Sequence, residues 1–193
     1  MLLVKTIWSE ESFEARQIAG KCLEKFGPKY PKICLDFISI ALPNLDNWAV
    51  CDNLAMFGVE PIVYSNPGLV LPLSEKWIKS GNKWIRRFGV VSLRGYKKIK
   101  VTCLPAGMTD RVFKILDIIM GDKDKDVKKA AAWILREITK KNPREIFDFL
   151  IKWTKAASPD TKWIIKDGVK KLSKQQQEKI LAKCFAAKEG AKC

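Results

Sequence analysis

The stretch NWAVCDNLA, residues 47–55, places Trp48 and Asp52 four positions apart, one turn on a helix, in a chain with a formal net charge of +15. A fixed carboxylate can stabilise a developing cation, and an aromatic face can carry a sugar or a base. The 193 residues include no histidine. That absence removes Ser-His-Asp and Cys-His nucleophilic devices and most zinc sites. Any chemistry therefore runs on carboxylates, lysine, tyrosine or bound water. Taken alone, Asp52 also reads as a solvated acid, or as the ion-pair partner of an arginine such as Arg87.

The elements that must position these residues are helical. Proline and glycine punctuate the chain at GPKYP (27–31), LPN (42–44), SNPG (65–68), LPAG (104–107), NP (142–143) and SP (158–159), and the segments between them have helical rather than alternating periodicity. The spacing predicts apolar stripes Ile33, Phe37, Ile40 and Ala41; Val112, Ile115, Leu116 and Ile119; and Ile146, Phe149, Leu150 and Trp153. Helix starts are expected after Thr109, at Asn142 with Pro143, and at Ser173 with Gln176, whose spacing is that of a capping box.

The helices repeat. Aligning the segments that begin at Ala15, Ile85, Val127 and Ile164 puts a small residue at the fifth place (Ala19, Gly89, Ala131, Gly168) and leucine at the ninth (Leu23, Leu93, Leu135, Leu172). A spacing of 35–42 residues suits helix-pair repeats of the HEAT or armadillo kind, and the double gap between the first two starts has its midpoint at Val50. That middle segment keeps the spacing but not the pattern, with Leu54 at the small place and Gly58 at the leucine place. A non-repetitive helical bundle is the alternative. The expected fold is all-α, with HEAT-like helix pairs forming a curved solenoid that has a basic concave face. It spans residues 1–188 as one domain, followed by a flexible tail over 189–193.

In this register the third place holds Gln17, Asp52, Arg87, Lys129 and Lys166, with Trp48, Trp133 and Lys170 one turn away on the same faces. Inner helices line the concave side of a solenoid, so these residues could form one strip: cations for phosphates, tryptophans for sugars or bases, and Asp52 exposed at its centre. Singly, Trp133 within AAAWIL reads as core, and the lysine-rich stretches as solvated loops and helix ends.

Composition bounds the rest. Hydrophobic residues make up 47% and charged residues 30%, which is globular rather than disordered composition. Thirty-six Lys and Arg against 21 Asp and Glu favour a polyanionic partner. No apolar run reaches the length of a membrane span and no signal-peptide core opens the chain, so a cytoplasmic protein is expected. The six cysteines, Cys22, Cys34, Cys51, Cys103, Cys184 and Cys193, form no CxxC pair and read as free thiols.

The blocks NWAVCDNLA, NKWIRRFGVVSLRGYKK and VKKAAAWILREITKKNP resemble three successive blocks of the HEAT-like-repeat DNA alkylation repair glycosylases of the AlkD type. The likeness runs from about Trp8 to Ser173. It implies an enzyme that excises N3- or N7-alkylated purines from duplex DNA without cofactor, as a monomer, usually leaving the damaged base stacked. It also implies the roles. Asp52 is the catalytic carboxylate against the deoxyribose, Trp48 and Trp133 contact sugar and backbone, and Arg87 orients the acid and meets phosphate. Arg86, Lys129, Arg136, Lys166 and Lys170 are then the DNA-binding cations. The family's N-terminal helical region is typically longer, and this chain begins at about its first well-formed repeat. Two other functions stay open on the residues alone: a non-catalytic nucleic-acid-binding HEAT module, and a protein-binding scaffold.

Overall fold

The computed structural model describes residues 1–104 and 107–186, with part of LPAG and all of 187–193, including Cys193 and the expected tail, outside the described residues. The described chain is helical throughout, as the periodicity predicts: α1 (Leu2–Ser9), α2 (Phe13–Phe26), α3 (Pro31–Ala41), α4 (Trp48–Asn53), α5 (Glu60–Ser65), α6 (Pro67–Trp77), α7 (Lys83–Ser92), α8 (Met108–Ile119), α9 (Lys125–Thr139), α10 (Pro143–Trp153), α11 (Pro159–Gly168) and α12 (Lys174–Phe185). Local chemistry sets the starts. Side chains of Ser12, Asn47, Asn82, Asp124 and Ser158 accept hydrogen bonds from backbone N–H groups of their first turns, and proline opens α3, α6, α10 and α11. Ser173 and Gln176 close the expected capping box on α12. At α8 the expectation is off by a residue or two: Gly107, with φ +79°, precedes the helix, and Thr109 lies in its first turn.

The helices α2, α4, α7, α9 and α11 pack each against the next, and α3, α6, α8, α10 and α12 flank them, so the chain is a helical repeat array. The repeat register has a steric meaning. Ala19, Leu23, Leu93, Ala131 and Leu135 are wholly buried. A Cβ on Gly168 would lie 3.0 Å from Leu135 Cδ1, and one on Gly89 would lie 2.9 Å from both Trp77 Cβ and Ile78 Cγ2. Small residues stand where helices approach most closely. Between α4 and α5 the helix passes through a π turn, Leu54–Val59, before resuming at Glu60. A π turn accommodates one extra residue, so the pattern of α2, α7, α9 and α11 cannot run through it. That is why Leu54 and Gly58 depart from the register.

Two stripes are buried as expected, with Trp153 half-buried and its indole N–H donating to Asp117 at 2.8 Å. On α3 the stripe is corrected. Ile33 and Ile40 are 50% and 64% exposed, and the buried face is Cys34, Leu35, Phe37, Ile38 and Ala41. With eight apolar residues among eleven, counting Pro31, α3 offers two faces of similar hydrophobicity, and packing on the neighbouring elements selects one. Cys34, Cys51 and Cys184 are buried free thiols, Cys22 is half-buried, and Cys103 is exposed. Among the described residues no helix is long and apolar enough to cross a membrane.

Candidate active site

Asp52 occupies the second turn of α4, whose start is fixed by Asn47 accepting from Val50 N–H at 3.0 Å. Its carboxylate is gripped from α7: Arg87 Nε donates to Oδ1 at 2.9 Å and Nη2 to Oδ2 at 2.6 Å. Arg87 Nη1 donates to the backbone carbonyl of Asp126, in the first turn of α9, at 2.6 Å. All three guanidinium nitrogens are engaged, so acid, cation and the three helices α4, α7 and α9 are held in one geometry. The sequence expectation of an exposed acid is corrected here. Asp52 is 7% exposed and Arg87 6%, because the planar fork covers both carboxylate oxygens. Burial raises the Asp52 pKa above the usual aspartate value, and the Arg87 hydrogen bonds and charge oppose that rise.

One turn before Asp52, at the first position of α4, Trp48 is 58% exposed. An indole this open contributes little to the core and is free to meet a ligand. Trp133 is half-buried on α9. The guanidinium over its ring is not that of Arg87 but that of Arg94, 5.6 Å from the ring centroid.

The expected DNA-binding cations divide into two sets. Arg86 is committed within the protein: Nε donates to Asp122 at 2.7 Å, and Nη1 to the carbonyls of Ser80 and Gly81, each at 3.1 Å. Arg136 is paired with Asp167, which also receives Lys170. Both arginines brace neighbouring repeats rather than standing open. Lys129 and Lys166 are exposed, and no ion pair holds either among the described residues. Lys170 is exposed and leans on Asp167 from one turn away.

Sequence reasoning placed one carboxylate in the strip and missed a second. Glu60, two turns beyond Asp52 across the π turn, is 7% exposed and receives Lys97 Nζ at 2.7 Å, Arg94 Nη1 and the Tyr64 hydroxyl. Burial would raise the Glu60 pKa, but the hydrogen bonds from Lys97 and Tyr64 and the charge of Arg94 bring it below the usual glutamate value. A signal was present: Glu60 and Arg94 stand 34 residues apart, against 35 for Asp52 and Arg87. Clefts elsewhere, one of about 740 Å³ between Thr154, Lys162 and Lys183 among them, are not lined by Asp52, Arg87, Trp48 or Trp133. Among the described residues no group of three or more acidic, Cys or His side chains converges to hold a metal ion.

No curated protein matches the chain. The family model described as DNA alkylation repair enzyme matches residues 1–172. The chain belongs to the DNA alkylation repair enzyme family.

Proposed function

We propose that this chain is a DNA glycosylase releasing N3- or N7-alkylated purines, such as 3-methyladenine or 7-methylguanine, from duplex DNA. The observation that carries the proposal is the Asp52 carboxylate, immobilised at both oxygens by an anchored Arg87 and one turn from the exposed Trp48. An alkylated purine is cationic, so the bond from its nitrogen to C1′ is already weak. The bond breaks with its electron pair leaving on the base, which departs neutral, and the deoxyribose is left oxocarbenium-like. A fixed carboxylate stabilises that cation and positions the water that adds to C1′, whose proton passes to Asp52 or solvent. Trp48 and Trp133 supply faces for sugar and backbone, and Lys129, Lys166 and Lys170 supply cations for phosphates. A base-flipping route needs a snug receiving pocket. None of the clefts described above is lined by Asp52 or Trp48, as expected for a lesion that stays stacked.

One observation favours a second reading, binding without chemistry. Both Asp52 oxygens are occupied, as in an ordinary buried ion pair. The test is base release from methylated duplex DNA by wild type and Asp52→Asn side by side. The glycosylase reading expects free 7-methylguanine or 3-methyladenine from wild type only. Equal background release from the two, with salt-sensitive DNA binding retained, establishes the second reading instead.

A further inference from the structure

The Asp52–Arg87 pair has a counterpart on the same two helical stretches. Glu60 follows Asp52 by eight residues, the usual two turns plus the residue that the π turn adds, and Arg94 follows Arg87 by seven. The second acid is buried like the first, but its cation is half-buried and aimed differently. Arg94 is held on one side by the Glu60 carboxylate and lies on the other over the Trp133 ring, 5.6 Å from its centroid. Lys97 and the Tyr64 hydroxyl both donate to Glu60 Oε1 while Arg94 donates to Oε2, so both oxygens of the buried acid are engaged by protein groups. Of its three partners, Arg94 is the one seen over the Trp133 ring. A guanidinium locked by a carboxylate presents a fixed plane, and an indole resting on that plane loses rotational freedom.

We infer that Glu60 is a positioning residue: through Arg94 it fixes the indole of Trp133 against the surface that receives DNA, a role that rests on the glycosylase reading of Trp133. The two carboxylates then divide the work between the two ends of one helix, Asp52 serving the sugar and Glu60 the aromatic that bears on the backbone beside it. The rotational freedom that Trp133 would otherwise lose on binding is already removed in the free protein.

Charge and position make opposite forecasts for Glu60→Gln. Deleting a negative charge strengthens DNA binding and leaves base release equal or faster if the residue acts only by charge. If it positions Trp133, base release falls by roughly three- to tenfold, the range of a partly desolvated cation–π contact. Arg94→Met, which leaves Glu60 paired with Lys97 and Tyr64, serves where Glu60→Gln folds poorly, and is expected to slow release to the same extent. In a Trp133→Phe background neither change should slow release further by more than about twofold, since contacts acting through one residue are not additive. Full additivity overturns the inference. An independent arm labels the protein with 5-fluorotryptophan and identifies the Trp133 fluorine line as the one missing from Trp133→Phe. Glu60→Gln and Arg94→Met should move and broaden that line and leave the Trp48 line in place. An unchanged Trp133 line overturns the inference even for a protein that releases no base. Base release that survives Trp133→Phe unchanged, while Asp52→Asn abolishes it, removes Trp133 from the site without touching the role of Asp52.

Discussion

Asp52→Asn separates catalysis from architecture, because the structure sets a different magnitude for each. In the proposed reaction the carboxylate is the group placed against the developing sugar cation, and comparable preorganised electrostatic groups are worth about 2.7–4 kcal/mol, or about 10²–10³ in rate. Base release from 7-methylguanine duplex should fall by that factor. The stability cost is smaller than the environment alone suggests. Removing one partner of a buried ion pair outright costs about 3–5 kcal/mol. Asparagine keeps one oxygen to accept from Arg87, which retains its bond to the Asp126 carbonyl, and it sheds the burial penalty that raises the Asp52 pKa. A loss of about 1–2 kcal/mol follows, and at about 2–4 °C per kcal/mol for a chain of this size Tm should drop by less than about 10 °C. The assay is single-turnover release of methylated base, followed by chromatography, beside thermal unfolding by circular dichroism. Arg87→Met is the partner experiment. It leaves the carboxylate buried and unpaired, so it should cost about 3–5 kcal/mol, more than the acid's own replacement. A folded Asp52→Asn protein that releases base at the wild-type rate refutes the reasoning.

Three further outcomes follow from the same geometry. Release should require ionised Asp52, whose pKa stands above the usual aspartate value of about 3.9, so the acid limb of the rate profile should lie above that value; a limb at or below it contradicts the burial argument. Glu60 has the opposite sign. Its pKa is lowered on folding, so the stability it contributes is present above its unfolded pKa of about 4.3 and disappears as pH falls through the folded value; Glu60→Gln should flatten the fall of Tm in that acid window. Lys129→Ala and Lys166→Ala should each lower the salt slope of duplex binding by about one and leave Tm nearly unchanged, whereas Arg86→Met, which breaks the Asp122 and carbonyl bonds, should lower Tm and barely alter the slope.

Much of this protein is local, and so was legible in the chain. Helix starts are decided by side chains within a turn of themselves, as with Asn47 on Val50 N–H and the Ser173–Gln176 box, and a sequence displays such pairs directly. The small and leucine places survive in sequence because close helix approach admits few residues, as the 3.0 Å gap at Gly168 shows. Trp48 and Asp52 share a face by helical geometry alone.

Tertiary structure decided the rest, because it turns on which distant groups meet. The occupation of both Asp52 oxygens by Arg87, the diversion of Arg86 to Asp122 and of Arg136 to Asp167, and the outward turn of Ile33 and Ile40 all depend on neighbours some 30 or more residues away or on competing faces of one helix. The π turn between Asp52 and Glu60 is the clearest case. A single residue of extra helix shows in the sequence only as the broken register at Leu54 and Gly58, yet it brings Glu60 into line with Arg94, and Arg94 lies over Trp133. The chain alone names an acid and its tryptophan; only the packing of α4, α5, α7 and α9 sets two acids on one helical stretch, each paired with an arginine.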